Sequence, residues 1–166
     1  MIVLTERLTL RHFREADLDA YAAMCADPEV MRHIGAGGPV GRDVAWRQMA
    51  LFLGEWALHG FGMWAVASRA SGELLGRVGY LQPEGWPGCE LGWLLGRTHW
   101  GQGYAVEAAR AALEIGRREL GRGELISLIR ADNLRSISLA LRLGARHDGR
   151  IEFMGSSAEL YRHPAP

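Results

Sequence analysis

The middle of the chain carries three successive apolar runs, at residues 61–68, 72–81 and 89–95, separated only by short segments rich in Gly, Pro and Ser. Runs of this length joined by short turns favour neighbouring antiparallel strands. Patterns of helical spacing lie before and after the three runs. A chain built this way must pack helices against a sheet, which predicts an α/β fold.

Before the three runs, a strand is predicted over residues 3–11 and a first helix from Arg14 to Asp27. Pro28 ends this helix because proline disfavours the α conformation in the residue before it. A second helix is predicted to end near Gly60. Its buried stripe is predicted from apolar residues at helical spacing, namely Trp46, Met49, Ala50, Leu53 and Ala57.

After the three runs, a glycine-rich turn at residues 101–103 introduces a third helix. Its apolar face is predicted to be Ala105, Ala108, Ala109, Ala112, Leu113, Gly116 and Leu120. A strand over 125–130 follows, then a helix starting at Asn133 and stopping at Gly144. The stripe of that helix is predicted to be Leu134, Ile137 and Leu141, and residues 146–153 and 158–163 form a closing pair of strands.

The resulting order is βααβββαβαββ. It predicts a mixed, mostly antiparallel sheet of about seven strands with about four helices on both faces. The chain has 166 residues, and no linker or repeat divides it, so one domain over residues 1–166 is expected.

The charges of the chain exclude some partners. Nineteen basic and nineteen acidic residues cancel, so no overall field favours nucleic acid or an anionic membrane.

The histidines and cysteines indicate no metal site. The six histidines form no paired metal spacing, and Cys25 and Cys89 match no metal or CxxC pattern, so no metal is expected. Both cysteines are expected to be reduced thiols. With no signal-peptide pattern and no long uncharged apolar run, a cytoplasmic location is predicted.

The segment His99-Trp100-Gly101-Gln102-Gly103-Tyr104-Ala105 joins a predicted strand to a predicted helix. Glycines let the backbone approach a ligand closely, and the first N–H groups of a helix attract anions. The arrangement therefore suits a phosphate or pyrophosphate. A tight turn with small-residue packing is the alternative. No P-loop GK[ST] follows, and the third glycine of a Rossmann motif would fall at Val106.

A second segment, Arg130-Ala131-Asp132-Asn133-Leu134-Arg135-Ser136, adds a family resemblance. Together with the glycine turn, it resembles the GNAT superfamily of acyl-CoA N-acyltransferases, specifically the branch that acetylates N-terminal amines of ribosomal proteins and other amines. Residues 4–11, 27–30 and 100–108 are similar to the same branch. Trp100 replaces the polar first residue of the [QR]xxGx[GA] pattern, which leaves backbone N–H groups to hold the pyrophosphate.

The resemblance implies that acetyl-CoA, as co-substrate, lies between two splayed parallel strands, here 89–95 and 125–130. The residues expected to bind it are Trp93, Leu94, Leu95, Trp100, Gly101, Gln102, Gly103, Tyr104, Ala105, Asn133 and Ser136. From the residues alone, Asn133 could equally be only a helix N-cap and Ser136 only a first-turn hydroxyl.

The resemblance also implies catalytic roles. Glu90 matches the place where the branch carries a glutamate that accepts the amine proton, although a strand glutamate can also be merely solvated. Glu107 is the other candidate carboxylate for accepting the amine proton. The family tyrosine that protonates the thiolate is replaced by Ala140, so Ser136 is the remaining candidate acid. The backbone N–H near Leu94 is expected to polarise the thioester carbonyl.

The function expected is direct acetyl transfer from acetyl-CoA to a primary amine in a ternary complex. The acceptor is a protein N-terminal amine or a small-molecule amine, and a homodimer is common in the family. A non-catalytic acyl-CoA-binding sensor or scaffold module is the alternative. Trp86 and Trp93 are candidate pocket walls, whereas Trp46, Trp56 and Trp64 are expected in core or half-buried positions.

Overall fold

A computed structural model describes residues 1–118 and 124–164 of the chain. Its sheet has eight strands in the order β1-β2-β3-β4-β5-β6-β8-β7. The strands are β1 (Val3–Leu4), β2 (Leu8–Arg11), β3 (Met63–Ser68), β4 (Leu74–Leu81), β5 (Glu90–Leu95), β6 (Leu125–Ile129), β7 (Arg146–Phe153) and β8 (Ser156–His163). Neighbouring strands are antiparallel except β5 and β6, which are parallel. The predicted mixed α/β fold is confirmed.

Five α-helices cover the two faces of this sheet. They are α1 (Leu18–Ala26), α2 (Pro28–Met31), α3 (Arg42–His59), α4 (Tyr104–Arg118) and α5 (Leu134–Arg142). Helices α1 to α3 share one hydrophobic cluster with Met63, Ala65 and Leu94, whereas α4 packs on the opposite face against Trp64, Val78 and others. Cys25 and Cys89 are buried in different clusters, one on each face.

The strand predicted over residues 3–11 is in fact two short strands, which accounts for the eighth strand. A turn separates them, and β1 folds back on β2 with Val3 opposite Leu10. The backbone N–H of Thr5 bonds to the carbonyl of Leu8 at 2.9 Å and holds this turn. The fifth helix is the single turn α2, which begins where Asp27 accepts a hydrogen bond from the Glu29 N–H at 2.9 Å.

The predicted apolar stripe of α3 is wrong at four of its five residues: Met49 is buried, but Trp46, Ala50, Leu53 and Ala57 are exposed. Trp46 is 55% exposed and Leu53 is 39% exposed. The residues that α3 buries are Ala45, Met49, Phe52 and Glu55. Buried Glu55 accepts a hydrogen bond from the backbone N–H of Gln82 at 3.3 Å, a contact between distant residues that no local pattern could show.

Helix α5 departs from its predicted stripe in the same way, whereas α4 follows its own. Leu134 and Leu141 are exposed, and the buried residues of α5 are Leu139 and Ala140. On α4, the buried residues are Ala108, Ala109, Ala112, Leu113 and Gly116, as predicted, while Ala105 is half-buried and Leu120 lies outside the described residues. Gly144 ends α5 with a φ of 84°, as predicted.

The two parallel strands separate soon after they meet. Within the described chain, β5 and β6 pair through a single register position, Glu90 opposite Ile126. One residue further on, the Ser127 hydroxyl donates a 2.6 Å hydrogen bond across the gap to the carbonyl of Leu91. His163 Nε2 lies 2.9 Å from the same hydroxyl. A side chain thus satisfies a carbonyl where the ladder ends, and the strands diverge toward their carboxyl ends.

Candidate active site

A cleft of about 880 Å³ opens where β5 and β6 diverge, within the size range of small-molecule sites. It is lined by the end of β5, the loop and first turn of α4, the start of α5 and the segment around α2. Most residues predicted to bind the co-substrate line this one cleft: Trp93, Leu94, Leu95, Trp100, Gly101, Gly103, Tyr104, Ala105, Asn133 and Ser136.

The glycine loop before α4 presents bare backbone to the cleft. Gly101 and Gly103 have φ values of 73° and 81°, which side-chain-bearing residues rarely adopt. A Cβ on Gly101 would meet nothing within 4 Å, so open space lies beside this turn. Helix α4 starts at Tyr104, and its first N–H groups are available to an anion.

Gln102 is placed differently from the other predicted residues of the loop. It does not line the cleft, and its side-chain Nε2 donates to the carbonyl of Thr98 at 2.9 Å. The carbonyl of Gln102 accepts a 2.9 Å hydrogen bond from Arg7 Nη1. This contact ties the turn between β1 and β2 to the glycine loop.

Glu107 completes that connection and has no free oxygen for catalysis. Its Oε1 accepts from the Thr5 hydroxyl at 2.6 Å and from the Arg7 N–H at 2.8 Å, and its Oε2 accepts from Arg7 Nε at 2.7 Å. Burial acts to raise the pKa of Glu107, but these hydrogen bonds outweigh it and lower the pKa. The geometry makes Glu107 a structural anchor of the loop.

Two arginines on α5 line the cleft and were missed by the sequence analysis. The Arg135 guanidinium lies over the Trp100 ring, 4.3 Å from its centroid, and Arg142 lines the same wall. They are seven residues apart and so lie on one face of the helix. This spacing of seven residues is the feature of the sequence from which a basic face on α5 could have been predicted. Guanidinium groups beside a glycine loop suit phosphate oxygens.

Asn133 and Ser136 meet at the first turn of α5. Asn133 Oδ1 accepts a 3.3 Å hydrogen bond from the Ser136 N–H, which is the N-cap contact that the sequence also allowed. The Ser136 hydroxyl oxygen accepts a 3.1 Å hydrogen bond from Trp93 Nε1, so Trp93 is a cleft wall as predicted from its position on β5. Because the indole is the donor, the hydroxyl proton of Ser136 can point elsewhere.

Glu90 lies at the base of the splay, where β5 and β6 make their one pairing. Its Oε2 accepts a 2.7 Å hydrogen bond from Trp86 Nε1, and the backbone N–H of Leu128 on β6 also bonds to the carboxylate. Burial raises the pKa of Glu90 above its ordinary value, although Trp86, the charge of Arg77 and the Leu128 N–H act in the opposite direction. A half-buried carboxyl group with a raised pKa is typical of a general base or acid.

Trp86 contributes to this carboxylate and does not line the cleft. Its ring packs edge-on against Phe153, with ring centroids 4.7 Å apart. The indole therefore has a fixed position from which to donate to Glu90. Trp86 was predicted as a candidate pocket wall. It does not line this cleft, and instead it donates a hydrogen bond to Glu90.

The segment after α2 is tied across the cleft to the loop between β6 and α5. His33 Nε2 lies 3.3 Å from Asp132 Oδ2, and Arg130 Nη2 donates to the carbonyl of Gly35 at 2.6 Å. Residues 32–34 thus cover one side of the cleft next to the end of β5.

In the described ranges, no helix is both long and apolar enough to cross a bilayer.

The fold, the splayed parallel pair and the glycine loop before α4 together define an acetyltransferase domain. The chain belongs to the acetyltransferase (GNAT) domain family, whose pattern matches residues 7–146. The family resemblance drawn from the sequence is confirmed.

Individual relatives agree with this assignment. An acetyltransferase from Agrobacterium tumefaciens str. C58 is 32% identical, with a TM-score of 0.89 over 98% of this chain and 94% of that one. The uncharacterized N-acetyltransferase p20 of Bacillus licheniformis is 29% identical over 147 residues, 87% of this chain and 82% of that protein. RimL, a ribosomal L7/L12 alpha-N-protein acetyltransferase determined in complex with coenzyme A, shares the fold at 16% identity, with a TM-score of 0.82 over 99% of this chain and 98% of that one.

Proposed function

We propose that the chain transfers an acetyl group from acetyl-CoA to a primary amine, either a protein N-terminal amine or a small-molecule amine. The observation that carries the proposal is the place of Glu90. Its carboxylate is held by Trp86 and Leu128 at the point where the two parallel strands separate. Glu90 does not itself line the cleft, but it lies on β5 three residues before Trp93, the first residue of that strand that does.

The donor end of the cleft fits the chemistry of coenzyme A. Backbone N–H groups at Gly101, Gly103 and the start of α4 would hold the pyrophosphate, while Arg135 and Arg142 supply positive charge nearby. Beyond Leu91, whose carbonyl accepts from Ser127, the backbone of β5 has no register pair with β6 within the described chain, so residues 93–95 could pair with the amides of the pantetheine arm.

The reaction requires a neutral amine, because a protonated amine has no lone pair for attack. Glu90 takes the amine proton, directly or through water, and the nitrogen then attacks the thioester carbonyl carbon. The backbone N–H near Leu94 stabilises the charge that develops on the carbonyl oxygen. A new C–N bond forms, the C–S bond breaks, and the sulfur leaves as thiolate. Burial raises the pKa of Glu90 above its ordinary value, which makes its carboxylate a stronger base.

The leaving thiolate takes its proton from Ser136 or from solvent. Position 140, where the family tyrosine would stand, is a fully buried alanine. Ser136 lines the cleft, as do two other hydroxyl-bearing residues, Tyr104 and Ser138. The hydrogen bond from Trp93 leaves the Ser136 proton free to point at a sulfur atom. A thiol has a pKa near 8.5, so departure of the thiolate needs little assistance.

A thiol-release assay tests the proposal. The protein is mixed with acetyl-CoA and a panel of peptides with free N-termini and small amines, and free CoA is measured with a chromogenic disulfide. Amine-dependent release above the rate of acetyl-CoA hydrolysis is expected for at least one class of acceptor. Tight binding of acetyl-CoA with no amine-dependent release on the whole panel would contradict catalysis and support a binding module.

A further inference from the structure

Arg77 is a buried cation in the middle of β4, on the face that α1 to α3 cover. Only 7% of the Arg77 surface is exposed to solvent. Arg77 Nη1 lies 3.7 Å from Met63 Sδ, and the guanidinium carbon lies 5.2 Å from the centroid of the Phe52 ring. Its other polar neighbours are the hydroxyl of Tyr21 and the thiol of Cys25. Burial raises the pKa of both groups, so all four of these neighbours are neutral.

No carboxylate of the described chain forms an ion pair with Arg77, and its Nε has no hydrogen-bond partner there. Arg11, the other buried arginine in the described ranges, forms a double hydrogen bond with Asp17. Burying an unpaired charge is costly, and an anionic ligand that paired with Arg77 would offset that cost.

The strand register places Arg77 and Glu90 at opposite ends of one short strip of sheet. Arg77 pairs with Leu94, Gly79 pairs with Gly92, and Leu81 pairs with Glu90. Alternate residues of a strand share a face, so Arg77 and Glu90 lie on the same face with the two glycines between them. Their Cα atoms are separated by about 13 Å along the strands, at about 3.3 Å per residue. Long side chains span part of that distance. Leu81, Glu90 and Gly92 are half-buried, so the strip is partly exposed at its Glu90 end, whereas Arg77 at the other end is buried.

Gly92 lies between Arg77 and Glu90 and adds no side chain to the face that they share. A Cβ there would meet only Met63 Cε, at an ordinary contact distance of 3.7 Å, and the backbone has no positive φ. Packing therefore does not require glycine at this position. Gly79 differs, because its Cβ would collide with the backbone of Gly62. Only the flexible side chain of Met63 stands over Gly92, and methionine changes conformation readily.

We propose that Arg77 and Glu90 bind opposite ends of the acceptor, which is a small zwitterion carrying a carboxylate as well as the reacting amine, such as a free amino acid. The proposal rests on the acetyl transfer proposed above and chooses among its acceptors. The carboxylate of the acceptor forms a bidentate hydrogen-bonded pair with the guanidinium of Arg77, and the amine of the acceptor lies next to Glu90. Leu94 lines the cleft and pairs with Arg77, so this strip adjoins the donor site.

Matched acceptors test the proposal directly. Leucine and phenylalanine are compared with isoamylamine and phenethylamine, the amines left when the carboxyl group is removed, and with leucinamide. The wild-type protein is expected to have a kcat/KM at least about 100-fold higher for the carboxylated partner of each pair, because a site built for a polar group rejects an analogue lacking it. Equal values within the pairs would overturn the proposal.

Three substitutions at two positions add a second readout. Arg77→Met should raise KM for the amino acids and abolish the preference within each pair, with the KM for acetyl-CoA unchanged, whereas Arg77→Lys should retain part of the preference. Gly92→Ala, which the packing tolerates, should also raise KM for the amino acids without lowering Tm. If Arg77→Met changes the pH profile equally for carboxylated and uncarboxylated acceptors, Arg77 only sets the charge of Glu90 and the proposal is wrong.

Binding of N-acetylleucine to the CoA complex separates this proposal from the reaction itself. Calorimetry should show binding to the wild type that Arg77→Met weakens at least about 10-fold, while Glu90→Gln leaves it unchanged because the acetylated nitrogen carries no charge. This result would support the zwitterion site even if no amine were turned over. Equal affinity for N-acetylleucine in wild type and Arg77→Met would overturn it, even in an active acetyltransferase.

Discussion

Trp86 Nε1 donates a 2.7 Å hydrogen bond to Glu90 Oε2, four residues further along the chain. The bond stabilises the ionised carboxylate and therefore acts to lower the pKa of Glu90. Trp86→Phe removes the donor and keeps an aromatic ring against Phe153. The pKa of Glu90 should rise, so the acidic limb of the kcat/KM profile should move to higher pH by up to about one unit.

Trp46→Phe is the matched control for that change, since Trp46 is exposed on α3. Its profile should coincide with that of the wild type. A Trp86→Phe profile that also coincides with the wild type would show that Glu90 does not set the acidic limb.

Glu90→Gln removes the base and keeps nearly the same shape. We expect kcat to fall by roughly 10² or more at neutral pH, the usual effect of losing a general base, with the affinity for CoA unchanged. Part of the loss should be recovered at high pH, where solvent deprotonates the amine. Glu84→Gln, on the same loop as Trp86, is the control and should retain full activity. Wild-type kcat in Glu90→Gln would exclude Glu90 as the base.

Gly103→Asp tests the glycine loop. The substitution forces a side chain onto a φ of 81°, with its Cβ 3.3 Å from Arg7 Nη2, and adds a negative charge to the loop that lines the cleft. CoA affinity measured by calorimetry should fall at least tenfold, about 1.4 kcal/mol. Gly72→Asp introduces the same charge at a φ of 75° in the turn before β4, outside the cleft, and controls for backbone strain. Equal CoA affinity in the two variants would remove the loop from the donor site.

Asn133 is tested by separating its capping role from binding. Asn133→Ala loses the cap of α5, at a cost of about 1 kcal/mol of stability, whereas Asn133→Ser keeps a capping oxygen. If the amide also contacts the CoA arm, both variants should bind CoA more weakly while only Asn133→Ala loses Tm. Wild-type CoA affinity in Asn133→Ser would leave Asn133 as an N-cap alone.

His163 predicts how stability depends on pH. Burial, with a smaller effect from Arg117, lowers the pKa of His163 to about 4, so the folded protein keeps this ring neutral. An unfolded histidine takes up a proton below about pH 6.5. The unfolded state therefore binds more protons between pH 6.5 and 4, and the free energy of unfolding should decrease across that window by up to about 3 kcal/mol.

Unfolding by urea at pH 7 and pH 4.5 measures this effect. His163→Gln retains a donor for the Ser127 hydroxyl and does not titrate, so its stability should decrease less over the same interval. A parallel decrease in both proteins would assign the pH dependence to other groups.

Local patterns were sufficient for the elements whose own residues determine them. The alanine face of α4, the stop at Gly144 and the turn at Gly101 and Gly103 all follow from short-range rules of spacing and backbone conformation. The apolar residues of α3 and α5 were assigned to the wrong faces because each helix has more apolar residues than it buries. Contacts with distant strands then decide which side faces inward.

The candidate site divides in the same way. The glycine loop, Asn133 and Ser136 carried a motif, and Glu90 was identified through the family resemblance. Arg77, the proposed contact of the acceptor carboxylate, was not identified, because a single arginine within the apolar run at residues 72–81 belongs to no motif. Only the register with β5 shows that Arg77 shares a face with Glu90.

The hydrogen bond from Ser127 to Leu91 determines how the cleft is formed. Because this side chain satisfies the carbonyl where the parallel ladder stops, the separation of the strands exists before any ligand arrives. Entry of a ligand into the cleft then requires no strand pair to be broken, and little conformational entropy is lost on binding. Association should accordingly be fast, and binding of CoA should slow amide exchange at residues 93–95 of β5 more than on β6.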